Sequence, residues 1–371
     1  MRITFLLPRD DLAGGTRVVA THARLLQDRG HQVLVVSNVP ARRSIRELWR
    51  LLRQRNWDAL RQVHRPRPGH VALSGVPMHQ LERHRPIVAS DLPDADLVVA
   101  TWWETARWMH QLPVSKGRRV HLIQDYETWF DEATNHQVRE TLRLPNCKIA
   151  ISHSLRQNLL DQLGPLDIQV VSNAVDGTHF DAPRRPRHGR PRVGFIYGSA
   201  HRKAADRYHA AIALARRSVP ELEVLAFGSE SPKPGQPLPP GTRYIPFPAQ
   251  ADIPGLYAQC DAWLFASRID SFGLPILEAM ACRTPVIGVP VGAAPELLPQ
   301  CGVLLSATSE DALCRELAAA IVRLCRMPAE QWQAMSDAAH EQSHGYGWQD
   351  AAARFEGLLR TCPPACGHMR C

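Results

Sequence analysis

The stretch from Ser267 to Glu296, with the apolar run just ahead of it, constrains the fold of this chain more than any other segment. Ala262-Trp263-Leu264-Phe265-Ala266 is too short for a helix and suits a buried strand. A polar loop follows, and Gly273-Leu274-Pro275 opens a helix, because proline fits the first helical position, where its missing N–H is no loss. That helix runs to about Ala281, after which Thr284-Pro285-Val286-Ile287-Gly288 reads as the next parallel strand. The result is strand, tight loop, helix, strand. Asp270 falls in the loop and Glu278 in the first turns of the helix, so two carboxylates bracket the turn. The amides around Phe272, Gly273 and Leu274, with the partial positive charge of a helix N-terminus, make a place to hold a phosphate.

The same alternation opens the chain. Arg2 to Leu7 is a first strand, Asp11 to Gly15 a loop, and Val19, Ala23 and Leu26 mark a helix that Gly30 stops before the strand Gln32 to Ser37. This βαβ start lacks GxGxxG, which removes the usual dinucleotide fingerprint. Asp96 to Thr101 is a buried strand that delivers Trp102-Trp103-Glu104 to its carboxyl end, where open parallel sheets bind ligands. Tryptophan faces stack on sugar rings and Glu104 can bind hydroxyls; the bland alternative is core tryptophans beside a helix start. Val120 to Ile123 is another strand, ending in Gln124-Asp125-Tyr126-Glu127. A proline- and arginine-rich stretch, 184–191, reads as an interdomain linker, and a second α/β domain begins at Arg192. Its first strand leads into Gly198-Ser199-Ala200-His201-Arg202-Lys203, and Trp348, Ala352, Phe355 and Leu359 form a final helical stripe.

The segment Asp270-Ser271-Phe272-Gly273-Leu274-Pro275, followed by Glu278-Ala279-Met280-Ala281-Cys282, resembles the signature of retaining glycosyltransferases of family 4. Asp270 stands where that family has its first glutamate, Glu278 where it has its second, and Arg283 where it has a glycine. The resemblance implies an α/β GT-B architecture: two Rossmann-like domains with parallel sheets facing a central cleft, and a C-terminal helix crossing back. The expected boundaries are an acceptor-binding domain over 1–183 completed by helix 346–361, the linker 184–191, a donor domain over 192–345 and a tail over 362–371.

It also implies roles. Glu278 would hold the ribose hydroxyls and Asp270 the transferred sugar, while Arg202 and Lys203 grip the diphosphate beside the amides of Phe272, Gly273 and Leu274. Gly15 would lie close to the donor, and Gln124 occupies a position where the family often has histidine. Ser199 and Ala204 replace residues of the family's Gly-Arg and Lys-Gly pairs. Trp102, Trp103 and Glu104 would meet the acceptor. With Gln-Asp-Tyr-Glu they are similar to a subgroup that includes rhamnosyltransferases acting on bacterial surface polysaccharides. The implied activity is retaining, metal-independent transfer of a hexosyl or deoxyhexosyl group from a nucleoside diphosphate sugar, a co-substrate, to a glycan or lipid-linked glycan. No other cofactor is expected. Two rivals remain: a GT-B sugar-nucleotide epimerase, and a noncatalytic protein that binds glycans or nucleotides.

Composition narrows the setting. With 371 residues and 44% hydrophobic content the chain can build two cores. The net charge of +8 comes from 44 basic residues of which only Lys116, Lys148, Lys203 and Lys233 are lysine, and such a bias is weak evidence for nucleic acid, which is not an expected partner. Scattered cysteines within apolar runs, and no apolar run long enough for a leader or a span, point to the cytoplasm. The tail gathers Cys362, Cys366, His368 and Cys371 at spacings that fit no common zinc pattern, and no metal is expected. Within the arginine-rich segment 42–67, Ile45, Leu48, Trp49 and Leu52 share one helical face and Arg46, Arg50 and Arg53 another. That helix either packs on its domain or rests on an anionic membrane at the inner face of the cell membrane.

Overall fold

A computed structural model of the chain describes residues 1–40, 45–53, 68–233 and 235–362, leaving aside the side chains of residues 47, 48, 50 and 51. It divides into two units. The first comprises Met1–Ile151, Asn158–Val171 and the chain from Ala352; the second comprises Ser152–Gln157 and Ser172–Ala351.

The first part of the chain runs β1 (Arg2–Leu7), α1 (Gly14–Asp28), β2 (Gln32–Ser37), α2 (Ile45–Arg53), α3 (His70–Ser74), β3 (Met78–Gln80), β4 (Leu97–Ala100), α4 (Trp103–His110), β5 (Arg118–Ile123), α5 (Glu132–Arg143), β6 (Cys147–Ala150), α6 (His153–Leu163) and β7 (Ile168–Val170). These strands form one parallel sheet in the order β3-β2-β1-β4-β5-β6-β7. All four residues of β4 are fully buried, as expected of a central strand covered on both faces.

The chain continues through β8 (Arg192–Ile196), α7 (Ala205–Ala215), β9 (Glu223–Gly228), β10 (Arg243–Pro246), α8 (Ile253–Ala258), β11 (Ala262–Phe265), α9 (Leu274–Ala281), β12 (Val286–Gly288), α10 (Ala294–Leu297), β13 (Val303–Leu304), α11 (Glu310–Arg326), α12 (Ala329–His344) and α13 (Trp348–Thr361). The second sheet is also parallel, in the order β10-β9-β8-β11-β12-β13. In each sheet the chain starts at a central strand, winds out to one edge and returns on the other side. Strand order therefore reverses between β1 and β4, and again between β8 and β11. Open α/β sheets bind ligands outside the carboxyl ends of the strands at such reversals.

From Ala352 onward, α13 belongs to the first unit. Phe355 is fully buried there, with its ring centroid 4.7 Å from that of His22 and 6.4 Å from that of Phe5. The segment 184–191 lies within the second unit and is fastened to it. Arg187 donates to the carbonyls of Cys325 (2.8 Å) and Met327 (2.7 Å) at the end of α11, and the His188 N–H donates to Asp261 (2.9 Å). Cations on exposed helix-terminal carbonyls are favoured by the helix dipole. Cys366, His368 and Cys371, and the arginine-rich segment outside α2, lie outside the described residues.

Two residues that stand where the resemblance expects glycine adopt left-handed backbone: Ala204 with φ 54° and Arg283 with φ 58°. The turns demand the conformation whichever residue occupies them. Arg283 offsets part of that strain through its side chain, donating to the Ala182 carbonyl (3.1 Å) and to Asp337 (2.6 Å). Arg283→Ala removes both contacts but keeps a Cβ, whereas Arg283→Gly also relieves the backbone. We therefore expect the glycine variant to be the more stable of the two by about 1 kcal/mol in urea titration, since left-handed backbone costs a side-chain-bearing residue roughly that much. Equal stability would show that the turn is not strained.

Candidate active site

At the reversal in the second sheet, β8 and β11 end side by side. The chain leaving β8 makes a single 3₁₀ turn, His201–Lys203, before α7. The chain leaving β11 makes the loop that Gly273, with φ 88°, closes as the residue before α9. Arg268 joins the two. Its backbone N–H donates to the Arg202 carbonyl (2.8 Å), and its guanidinium donates to the His201 carbonyl (3.2 Å) and to both oxygens of Asp206 (2.8 and 2.6 Å). Asp206 is thereby held below the ordinary carboxylate range. Glu310 is drawn down to about 2, first by its hydrogen bonds from Arg207 and then by Arg268.

This staple brings Lys203 to Asp270. The Lys203 Nζ donates to Asp270 Oδ2 at 2.8 Å, and the Gly273 N–H donates to Asp270 Oδ1 at 3.0 Å. The lysine stem lies over Gly198, where a Cβ would sit 2.9 Å from its Cγ, so the close approach requires glycine. Three residues expected at the site from sequence, Lys203, Asp270 and Gly273, are thus in direct contact. One expectation needs correcting: the Gly273 amide at the mouth of α9 is not free for a phosphate in this structure, because Asp270 already accepts from it. Phe272 is buried, its carbonyl accepting from the Ala293 N–H (2.8 Å), and Leu274 is buried at the start of α9. Arg202 is exposed and Lys203 partly so.

Glu278 is buried in α9, and its Oε2 accepts from the Tyr257 hydroxyl at 2.7 Å. Tyr257, fully buried in α8, was not legible as a partner because an aromatic in an apolar context reads as core. Ser199 uses both its donors on Glu230: the N–H at 2.7 Å and the hydroxyl at 2.6 Å. Burial raises the affinity of Glu230 for a proton, but the Ser199 hydroxyl and amide and then Lys233 outweigh it and hold the carboxyl below its ordinary value.

In the first unit the reversal lies between β1 and β4. Gly15, at the start of α1, faces Gln124 from the end of β5; a Cβ on Gly15 would lie 3.1 Å from the Gln124 Oε1. Trp102 precedes α4 and is partly buried, and Glu104 in the first turn is likewise partly buried. Trp103 is a second correction. It is only 8% exposed, because at the first helical position its ring turns inward, and it presents no open face for a sugar. Its N–H donates to Glu127 Oε2 at 3.0 Å. Burial pushes the Glu127 carboxyl well above its usual range; the Trp103 N–H opposes this, and Asp125 and Glu104 add to it.

Comparison with known proteins follows the same lines. The family described as Glycosyl transferases group 1 matches residues 190–327. A solved structure of Anabaena Alr3699/HepE in complex with UDP superposes with a TM-score of 0.72 at 17% identity, covering 97% of this chain and all of that one (100%). A sucrose-phosphate synthase from Thermosynechococcus elongatus superposes at 0.68 with 17% identity, over 97% of this chain and 99% of that one. The fold is GT-B. The GT-B chain is also 26% identical over 238 residues to one component of the human phosphatidylinositol N-acetylglucosaminyltransferase, covering 60% of this chain and 47% of that protein. It is 33% identical over 215 residues to the O-antigen biosynthesis protein RfbC of Myxococcus xanthus, covering 55% of this chain and 16% of that protein. It therefore spans about half the length of the first relative and much less of the second. The matched residues include Lys203, Asp270, Gly273 and Glu278, so the Lys203–Asp270 and Gly273–Asp270 contacts fall inside that region.

Proposed function

We propose that this GT-B chain is a retaining, metal-independent glycosyltransferase of family 4. It moves a hexosyl or deoxyhexosyl group from a nucleoside diphosphate sugar to a glycan or lipid-linked glycan in surface polysaccharide or glycoconjugate synthesis. The observation that carries the reading is the Lys203–Asp270 pair at the strand-order reversal of the second sheet, inside the group 1 domain. An incoming diphosphate competes with Asp270 for Lys203, and the released carboxylate is then available to the transferred sugar. As the bond from the anomeric carbon to the diphosphate oxygen breaks, its electron pair leaves with the diphosphate. Arg202 and Lys203 offset that charge. The acceptor hydroxyl attacks the anomeric carbon from the same face and passes its proton to the departing diphosphate oxygen, so no protein nucleophile is needed and the configuration is retained. Glu278, steadied by Tyr257, is assigned the ribose hydroxyls. The relatives whose names carry glycosyltransferase and O-antigen functions, and the neighbour solved with UDP-glucose, support the donor and acceptor classes.

The test is thermal stabilisation of the purified chain by a panel of nucleoside diphosphates in excess EDTA, followed by transfer assays with the matching sugar nucleotides. A ligand that binds only the folded state raises the Tm. Stabilisation by none of them would remove the donor site. Release of an altered sugar nucleotide without acceptor would make the chain an epimerase, and turnover restored only by magnesium or manganese would end the metal-independent reading.

The lipid-linked reading rests on α2, where Ile45, Trp49 and Leu52 are exposed (74%, 64% and 43%) alongside exposed Arg46 and Arg53. Among the described residues no helix is long and apolar enough to cross a membrane, but a basic amphipathic helix can rest in an interface. Each basic residue near an anionic surface contributes about 1 kcal/mol, screened by salt. Sedimentation with phosphatidylserine vesicles is expected at low salt, weakening as salt rises and on Arg46→Gln with Arg53→Gln. No sedimentation at low salt would leave a soluble acceptor.

A further inference from the structure

Adjacent strands β4 and β5 end in two loops that share an aromatic cluster. Trp129 and Phe130, in the loop after β5, are 43% and 39% exposed, although large aromatic side chains usually bury most of their surface. They are not loosely held. Asn135 of α5 accepts from the Phe130 N–H and donates to the Phe130 carbonyl, each at 3.1 Å, while Asp131 caps α5 by accepting from the Thr134 N–H at 3.0 Å. Trp102, in the loop after β4, is fixed by the Thr105 hydroxyl, which accepts from its N–H (3.0 Å) and donates to its carbonyl (2.8 Å). The Glu127 bond to the Trp103 N–H ties the two loops together.

The three rings touch. Centroids lie 6.1 Å apart for Trp102 and Trp129, 6.4 Å for Trp102 and Phe130, and 5.7 Å for Trp129 and Phe130. Acidic residues flank them along both loops: Glu104 follows Trp102 and Trp103, Asp125 precedes Trp129, and Asp131 and Glu132 come directly after Phe130. The neighbouring cation Arg139 is already committed to Glu132 and Tyr126. Rings held open on a locked backbone bind without first being ordered, which lowers the entropic cost of association. A pyranose fits this chemistry: one face of C–H groups lies on the rings and the hydroxyls donate to carboxylates. A phosphate or carboxylate does not, because the flanking carboxylates of Glu104, Asp125, Asp131 and Glu132 repel it.

We infer that Trp102, Trp129 and Phe130 form a platform for an uncharged pyranose ring of the acceptor, and that this part of the chain selects neutral sugars over anionic ones. The inference rests on the carbohydrate-acceptor reading above, yet it concerns the first unit alone and can fail separately.

Saturation-transfer NMR on the full-length chain tests it, with the methyl glycosides of mannose, glucose and rhamnose as neutral probes and methyl glucuronide and mannose 6-phosphate as anionic ones. At least one neutral glycoside is expected to bind, more tightly than either anionic probe, and to lose roughly fivefold or more in affinity in Trp129→Ala and in Phe130→Ala, the scale of one lost aromatic contact. Tm and nucleoside diphosphate affinity should be unchanged in both variants, because both rings are partly exposed and lie in the other unit from Lys203. The inference is overturned if no neutral glycoside binds, if both variants bind like wild type, if the anionic probes bind better, or if Trp129→Ala instead abolishes vesicle sedimentation. Glycoside binding without nucleoside diphosphate binding would overturn the donor reading and leave the platform standing.

Discussion

Lys203→Ala is expected to weaken nucleoside diphosphate binding by about 1.5 to 3 kcal/mol, roughly 10- to 150-fold in Kd, the usual loss of a hydrogen bond to a charged group. The upper end is the more natural outcome here, because the substitution also strips Asp270 of its 2.8 Å partner and leaves a carboxylate facing the incoming phosphates. Asp270→Asn should move the two observables apart. The amide can still accept from the Gly273 N–H, but it no longer neutralises Lys203, so nucleoside diphosphate binding should hold or tighten. Sugar transfer should fall by about 100-fold or more, the scale seen when one stabilising group is lost from a transition state. Isothermal titration gives the first quantity and turnover with a sugar nucleotide the second. Wild-type affinity in Lys203→Ala would place the diphosphate elsewhere, and parallel losses in Asp270→Asn would remove Asp270 from the sugar.

Phe355→Ala should be the most damaging single change to stability in the first unit, costing about 3 to 5 kcal/mol, as large-to-small substitutions of fully buried aromatics do. The ring is completely inaccessible and packs on His22 and Phe5, so its loss leaves a cavity between α13, α1 and β1. Urea unfolding followed by amide exchange in β1 would measure this. A loss below about 1 kcal/mol would mean that the last helix contributes little to that core. His22 adds a pH signature. Burial lowers its pKa to about 4, so it stays neutral in the folded chain while the unfolded chain takes up a proton near 6.5. Its contribution is therefore present above pH 6.5 and is lost as pH falls toward 4. Opening the cavity in Phe355→Ala should hydrate the imidazole and flatten that part of the pH dependence. His121, buried in β5 with a pKa lowered to about 3 by burial and then by Lys148, responds in the same direction in both proteins.

Much of the fold was legible because its determinants are local. Short apolar runs such as Ala262 to Phe265 can be buried only as strands, and Gly273 with Pro275 fixes where a helix begins. The loop acid Asp270 and the glycine beneath Lys203 are also written in order along the chain, because a tight turn restricts which residues can occupy it. The short strands Met78–Gln80, Ile168–Val170 and Val303–Leu304 carried too few residues to show a period.

Tertiary structure decided what depends on partners distant in sequence. Arg268 reads as one arginine among many until it is seen stapling the His201–Lys203 turn to the loop of Asp270. Trp103 and Trp129 are the same residue type, and nothing local separates them. The first turns inward at the head of α4, and the second is held outward by the backbone that Asn135 clamps beside it. Left-handed backbone at Ala204 and Arg283 follows the same rule, since the turn geometry is set by the elements it joins and the occupant bears the strain. By itself the sequence determined two parallel α/β units and the residues of one turn, because backbone sterics and burial periodicity act within a few residues. Which side chains pair, and which aromatic faces stay open, was decided only when strands far apart in the chain came to lie side by side.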